Sequence, residues 1–170
     1  FVEWSKANDW TEDVNYPTNF LYSQVLRSVY QLYGNEKLLK KSIRIAETAT
    51  KQCFDGKLFY DHARRNEQGK LELIKTDCTE ICQYYAILFG KINLSDSKYS
   101  YLYSLIKNTF GAIRKQAMDE VVEINAFIGI YLRLETLVNL REYALALNDI
   151  RDFFGQMEQS TGTLWEYRQE

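Results

Sequence analysis

The sequence predicts an all-α fold of paired helices carrying one small β-hairpin. Three observations predict it. One proline and eight glycines in 170 residues leave long stretches free of helix breakers. Apolar residues recur at helical spacing in six separate segments. In one central stretch the period shortens to that of a strand. Composition sets further bounds. Hydrophobic residues are 46% and charged residues 26%, a globular rather than a disordered balance. The length suits one domain with a real core, or part of a larger one. Lys and Arg total 21 against 23 Asp and Glu, a net charge of −2. That excludes the basic surface a nucleic acid or an anionic membrane asks for. No apolar run approaches the roughly 20 residues that span a bilayer.

Residues 1–16 read as an irregular segment with Trp4, Trp10 and the carboxylates Glu3, Asp9, Glu12 and Asp13. A long loop this rich in tryptophan is more than a connector. The first helix follows Pro17, with Leu21, Val25, Val29 and Leu32 on its apolar face and Gly34 placed to end it. The second runs from Glu36 to about Gln52, with Leu38, Ile45 and Ala49 on one side. Residues 57–63 and 70–74 then flank Asn66-Glu67-Gln68-Gly69, a hairpin whose turn ends at the glycine. The third helix starts near Thr79, capped by Asp77 or Thr79, and reaches about Lys91. The fourth shows Leu102, Leu105, Ile106, Thr109, Phe110 and Ile113. The fifth shows Ile124, Phe127, Ile128, Tyr131 and Val138, and the sixth Tyr143, Leu147, Ile150, Phe154 and Met157. Residues 160–166 are turn chemistry followed by a short extended stretch.

Six helices in three consecutive pairs build either an α-solenoid or a closed α/α toroid. No residue signature repeats at a fixed period, so a tetratricopeptide-like array is not supported. The links between pairs carry the unusual residues. In a toroid such links gather at one rim and can build a cleft there.

The three cysteines, Cys53, Cys78 and Cys82, are too few for a disulfide scaffold. His62 is the only histidine, so no zinc set is completed. They read as small half-buried thiols, with no metal and no cofactor expected. Aromatics are 15% of the chain, with thirteen tyrosines. A ring face matches the apolar face of a sugar, but composition alone favours a large core with tyrosine hydroxyls at its surface.

Glu166 directly follows Trp165 after a glycine-containing turn. A carboxylate beside an indole can be desolvated, or can serve as a general base on water. Glu80 falls in the first turn of the third helix, where a carboxylate favours the dipole. Glu80, Gln83 and Tyr84 share a face that could bind hydroxyls. Asp61 and His62 alternate along the hairpin strand, but nothing nearby supplies a nucleophile for a triad. Arg64-Arg65 reads as a solvated hairpin edge.

Five segments in order resemble the bacterial α-L-rhamnosidase family, glycoside hydrolase family 78, among the six-hairpin glycosidases. They are Phe1-Val2-Glu3-Trp4-Ser5 with Asn8; Val14-Asn15-Tyr16-Pro17-Thr18-Asn19 with Leu21-Tyr22; Phe54-Asp55-Gly56 with Phe59-Tyr60-Asp61; Thr79-Glu80-Ile81-Cys82-Gln83-Tyr84-Tyr85-Ala86; and Gly162-Thr163-Leu164-Trp165-Glu166. Together they span nearly the whole chain. The resemblance implies an (α/α)6 barrel, of which residues 1–170 are the second half, and an inverting hydrolase of terminal α-L-rhamnosyl or related residues. In that chemistry one carboxylic acid protonates the leaving oxygen, and a second carboxylate, about 6.5–9.5 Å away, activates a water. Glu166 occupies the position that resembles the family's general base. Trp4 matches an aromatic position of the sugar cleft, and Glu80 and Trp165 are expected to line the same cleft.

The family's general acid lies in an acidic segment ahead of the matched region, and this chain does not contain it. The opening Phe1-Val2-Glu3-Trp4, with no initiator Met, likewise reads as a piece cut from something longer. The expected partners are a rhamnose-containing oligosaccharide or glycoside and the remainder of the barrel. Without acid assistance the piece alone should lose roughly 10²–10⁴-fold of the rate. The family's export habit implies the periplasm or the cell surface of a bacterium. The rival reading is a non-catalytic carbohydrate-binding or helical-hairpin interaction module.

Overall fold

Residues 12–114, 116–124 and 127–166 are described by a computed structural model of the chain. In order they form β1 (Val14–Asn15), α1 (Tyr16–Tyr33), α2 (Glu36–Cys53), β2 (His62–Arg65), β3 (Leu71–Leu73), α3 (Glu80–Phe89), α4 (Ser100–Asn108), α5 (Phe127–Asn139) and α6 (Tyr143–Thr161). A single 3₁₀ turn, Ser97–Tyr99, precedes α4. The fold is therefore mostly helical with a small β insertion, as the sequence predicts.

Local chemistry sets the helix ends. Asn15 is extended and its side chain accepts from the Thr18 amide at 2.8 Å, with Pro17 in the first turn of α1. Gly34 closes α1 at φ 70°, where its amide donates to the Tyr30 carbonyl at 2.7 Å. The link Gly34-Asn35 is so short that α2 must fold back antiparallel onto α1. Ser23 and Ser42, both fully buried, let the two backbones approach. Each hydroxyl donates to the other residue's carbonyl, at 2.9 and 2.8 Å. Thr79 is the cap of α3, its hydroxyl accepting from the Cys82 amide at 3.0 Å.

α1 packs on α3 and α3 on α5, so alternate helices form one row, with α2 packed on α1 and α6 on α5.

The predicted apolar faces need correction. α1 buries Tyr16, Phe20, Ser23 and Leu26, while Leu21, Val25 and Leu32 are exposed, Leu32 to 76%. α2 buries Ser42, Ala46, Ala49 and Cys53, so only Ala49 of the expected side turns inward. α5 buries Ile130, Leu132, Arg133, Thr136 and Leu137, leaving Phe127, Ile128, Tyr131 and Val138 exposed. α6 buries Ala146, Asp149, Phe153 and Met157, leaving Tyr143, Leu147 and Ile150 exposed. The physical reason is common to all four. These helices carry apolar residues on more than one face, and tertiary packing covers only one of them.

The fourth helix also ends sooner than predicted. Thr109 and Phe110 both donate to the Leu105 carbonyl, at 2.9 and 2.8 Å, and the chain turns away at Gly111. Gly111 has φ +143°, and a Cβ there would sit 3.1 Å from Arg133 Nη2 and from an Asp149 oxygen. A glycine is required on both counts.

The hairpin is present but shorter, and it gains a strand. β2 pairs antiparallel with β3 (Ala63 opposite Leu73, Arg64 opposite Glu72) and also with β1 (Val14 opposite Ala63). Its turn ends at Gly69 with φ +77°, and the Asn66 side chain accepts from the amides of Gln68 and Lys70. Arg64 and Arg65 are exposed as expected, but they lie on the central strand rather than at an edge, and they pair with Glu12 and Asp13 just ahead of β1. Residues 57–61 do not join the ladder: the Gln83 side chain takes the backbone groups of Phe59, and the Tyr60 and Asp61 amides donate to the carbonyls of Cys53 and Asp77. Gln83 Oε1 accepts from the Phe59 amide at 2.9 Å, and Nε2 donates to the Phe59 carbonyl at 2.7 Å and the Thr79 carbonyl at 2.9 Å. The core runs through Tyr16, Phe20, Phe59, Tyr84, Leu102, Ile106 and Phe153, and all three cysteines are buried in it as free thiols. No described helix is long and apolar enough to cross a membrane.

Candidate functional site

The helical hairpins return the chain repeatedly to one end of the molecule, the end where α1, α3 and α5 begin. Backbone bonds join these starts. The Tyr16 amide donates to the Asp61 carbonyl at 2.8 Å, and the Asp61 amide to the Asp77 carbonyl at 2.9 Å. The Glu80 amide donates to Val122, and the Val122 amide to Cys78, each at 2.9 Å. The segments that lead into the three row helices are thus stitched side by side. α5 and α6 are joined by Leu140-Arg141-Glu142 alone, so α6 runs back antiparallel. Phe127 at the start of α5 meets Phe154 in the last part of α6, ring centroids 6.3 Å apart. Residues 162–166 therefore emerge at this same end.

Three sets of polar side chains organise the end. The first is Asp61, fully buried, which accepts from the Thr79 amide at 2.7 Å and the Thr79 hydroxyl at 2.8 Å. The second is His62. Its Nε2 lies 2.9 Å from Asn15 Nδ2 and its Nδ1 3.3 Å from Asp77 Oδ2. Asn15 Oδ1 is engaged in capping α1, so its amide nitrogen faces the ring. Nε2 must then accept, which assigns the proton to Nδ1, on the Asp77 side. Burial lowers the His62 pKa from its ordinary value, with Asp77 and Glu12 opposing the drop. Asp61 and His62, adjacent in sequence, face different elements, Asp61 towards Thr79 and His62 towards Asn15 and Asp77.

The third set is an ionic network inside the molecule. Tyr84 Oη donates to Glu80 Oε1 at 2.5 Å and accepts from Arg133 Nη1 at 2.9 Å. Arg114 Nη2 donates to Glu80 Oε2 at 3.1 Å. Arg133 Nε pairs with Asp149 at 2.5 Å, and Nη1 also reaches the Ile106 carbonyl at 3.1 Å. Glu80, Tyr84 and Arg133 are fully buried, and the Arg114 side chain nearly so. Two carboxylates face two guanidinium groups, so the formal charges cancel. Burial pushes the Glu80 carboxyl above its ordinary value, and Arg133, Tyr84 and Arg114 act against that push. The network spans α3, α5, α6 and the loop that precedes α5.

The sequence-predicted site residues separate on this framework. Trp4 lies outside the described residues, as does Trp10. Glu80 sits within the network and presents no open face to solvent. Gln83 and Tyr84, the rest of the row expected to bind hydroxyls, have their polar atoms engaged internally. Gly162 ends α6 at φ 70°, and the next residues fold against the helix end. The Trp165 indole donates to Thr161 Oγ1 at 2.7 Å, and its backbone amide points to Met157 Sδ at 3.4 Å. This anchors the ring in a half-buried position, with Glu166 next to it and exposed.

Arg114, Arg133 and Asp149 went unnoticed in the sequence. Arg133 did leave a signal. It is the one cation within Phe127-Ile128-Gly129-Ile130-Tyr131-Leu132-Arg133-Leu134, and it shares a face with Ile130 and Leu137. Asp149 holds the corresponding position on the buried face of α6, beside Ala146 and Phe153. Comparison with known proteins adds no further constraint: no protein-family model, no curated protein and no solved structure matches the chain.

Proposed function

We propose that the chain is the second half of an (α/α)6 glycosidase barrel, in which Glu166 is the general base of an inverting hydrolysis of terminal α-L-rhamnosyl or related residues. The observation that carries the reading is the Trp165–Glu166 pair. It is an anchored indole with an open carboxylate beside it, at the end of the molecule where the row helices begin. The barrel half is supported by the exposed apolar faces of α1 and of α5 and α6, which flank the row and ask for cover. Further hairpins of the same kind would cover both.

On this reading the substrate ring stacks on Trp165 and Trp4. Glu166 takes a proton from a water as the water oxygen bonds to the anomeric carbon. The glycosidic oxygen leaves with a proton from an acid in the other half of the barrel. Glu80 supports the cleft from beneath, through the network, rather than by touching the sugar.

The test is Glu166→Gln in a polypeptide that supplies the remaining hairpins. Hydrolysis of an aryl α-L-rhamnoside should fall by about 10²–10⁴-fold, while rhamnose affinity, read by calorimetry, changes little. Unchanged turnover ends the reading.

A further inference from the structure

We propose that Arg114 is a positioning residue, which fixes residues 116–124 as a rigid wall at the end of the molecule that carries Glu166, by tying them to Glu80 at the start of α3. The inference rests on the glycosidase reading only for its catalytic consequence. Its structural part stands on the geometry.

Arg114 distributes its guanidinium between two jobs. Nη1 donates to the Met118 carbonyl at 3.2 Å and the Val121 carbonyl at 2.6 Å, which closes the chain on itself into a loop. Nη2 donates to Glu80 Oε2 at 3.1 Å, which fastens that loop to α3. Glu80 is in turn held by Tyr84, and Tyr84 by Arg133. The same loop supplies the Val122 backbone bonds to Glu80 and Cys78. An arginine is suited to this arrangement, because its donors are fixed in one plane and reach three acceptors together. The Arg114 side chain is 5% exposed and Glu80 0%, so the bond between them is shielded from water, where losing a partner is expensive.

Lysine separates the two jobs. A single ammonium at position 114 still balances the charge of Glu80 but cannot hold both carbonyls in the same plane. Hydrogen exchange followed by mass spectrometry reads the loop directly. In the full polypeptide, Arg114→Ala should raise exchange in residues 116–124 by about tenfold or more, with residues 16–53 unchanged. Arg114→Lys should recover most of the melting temperature and leave the loop exchange raised. The kcat/KM for an aryl rhamnoside should fall about tenfold in both variants, as expected when a positioned wall loosens. Unchanged loop exchange in Arg114→Ala, an equal rise across residues 16–53, or recovery of loop exchange together with melting temperature in Arg114→Lys each overturns the proposal. If Arg114→Ala does not fold, Arg114→Lys alone decides. Exchange is read without substrate, so a failure of the latch and a failure of the Glu166 assignment are told apart.

Discussion

Glu80 and Glu166 stand at the same end of the molecule in opposite surroundings. Glu80 is fully buried, with Tyr84 and Arg114 bonded to its two oxygens and Arg133 4.0 Å away. Glu166 is exposed beside an anchored indole. A carboxylate sealed from solvent with both oxygens held by internal partners has no water to act on. One that faces solvent beside a ring can take a proton. The first kind of position holds a scaffold together, and the second is where proton chemistry can occur.

The largest expected effect separates the two directly. Arg133→Met removes the hub of the network and leaves Glu80 and Asp149 buried with reduced compensation. Unfolding by urea should show a loss of about 3–5 kcal/mol. Glu166→Gln should change stability by less than about 0.5 kcal/mol, as expected for an exposed side chain. Equal losses in the two variants would erase the distinction. Tyr84→Phe is gentler. It deletes the hydroxyl that stands between Glu80 and Arg133, and the loss should be about 1.5–3 kcal/mol, the range for hydrogen bonds to charged groups.

How much of this was legible in the sequence follows from the range of the forces involved. Gly34, Gly69 and Thr79 were placed correctly because a cap or a turn is decided by a few neighbouring residues. The apolar faces expected of α1 and α5 lie largely on the wrong side, and of the α6 face only Met157 is fully buried, because the sequence carries apolar residues there on two sides. Only tertiary packing decides which side turns inward. In α5, Tyr131, expected on the buried face, turns outward, while the cation Arg133 is buried. The inward cation depends on Glu80, Tyr84 and Asp149, none of which is its sequence neighbour. β1 is equally non-local, two residues long and paired with a strand nearly fifty positions on. Glu166 was singled out through its neighbour Trp165 and through resemblance, and its exposure is a feature no spacing rule addresses.

His62 extends the comparison to pH. Its folded pKa is lowered by burial, so below the ordinary value of 6.5 the unfolded chain binds more protons than the folded one. Stability should therefore be greatest above pH 6.5, fall as the pH drops below it, and level off below the folded value. A proton on Nε2 would also point at the Asn15 amide, which is itself a donor. Urea midpoints measured between pH 7.5 and 5 should decline, and His62→Gln should flatten the part of the decline due to this group. If the wild-type and variant slopes coincide, the ring is not buried in its neutral form.

The smallest effect compares glycines on the sealed and open sides. At Gly111 an added methyl would meet both Arg133 and Asp149 at 3.1 Å, with φ at +143°. Gly111→Ala should therefore cost about 1–3 kcal/mol through backbone strain and displacement of the ion pair. Gly155 lies inside α6 with nothing within 4 Å of an added Cβ. There Gly155→Ala restricts the unfolded chain and improves helix propensity without meeting a neighbour, so stability should rise by about 0.5–1 kcal/mol. The two shifts should have opposite signs in the same thermal melt. A loss at Gly155 would mean that this stretch of α6 is already closely covered, and the case for further hairpins packed against that flank would weaken with it.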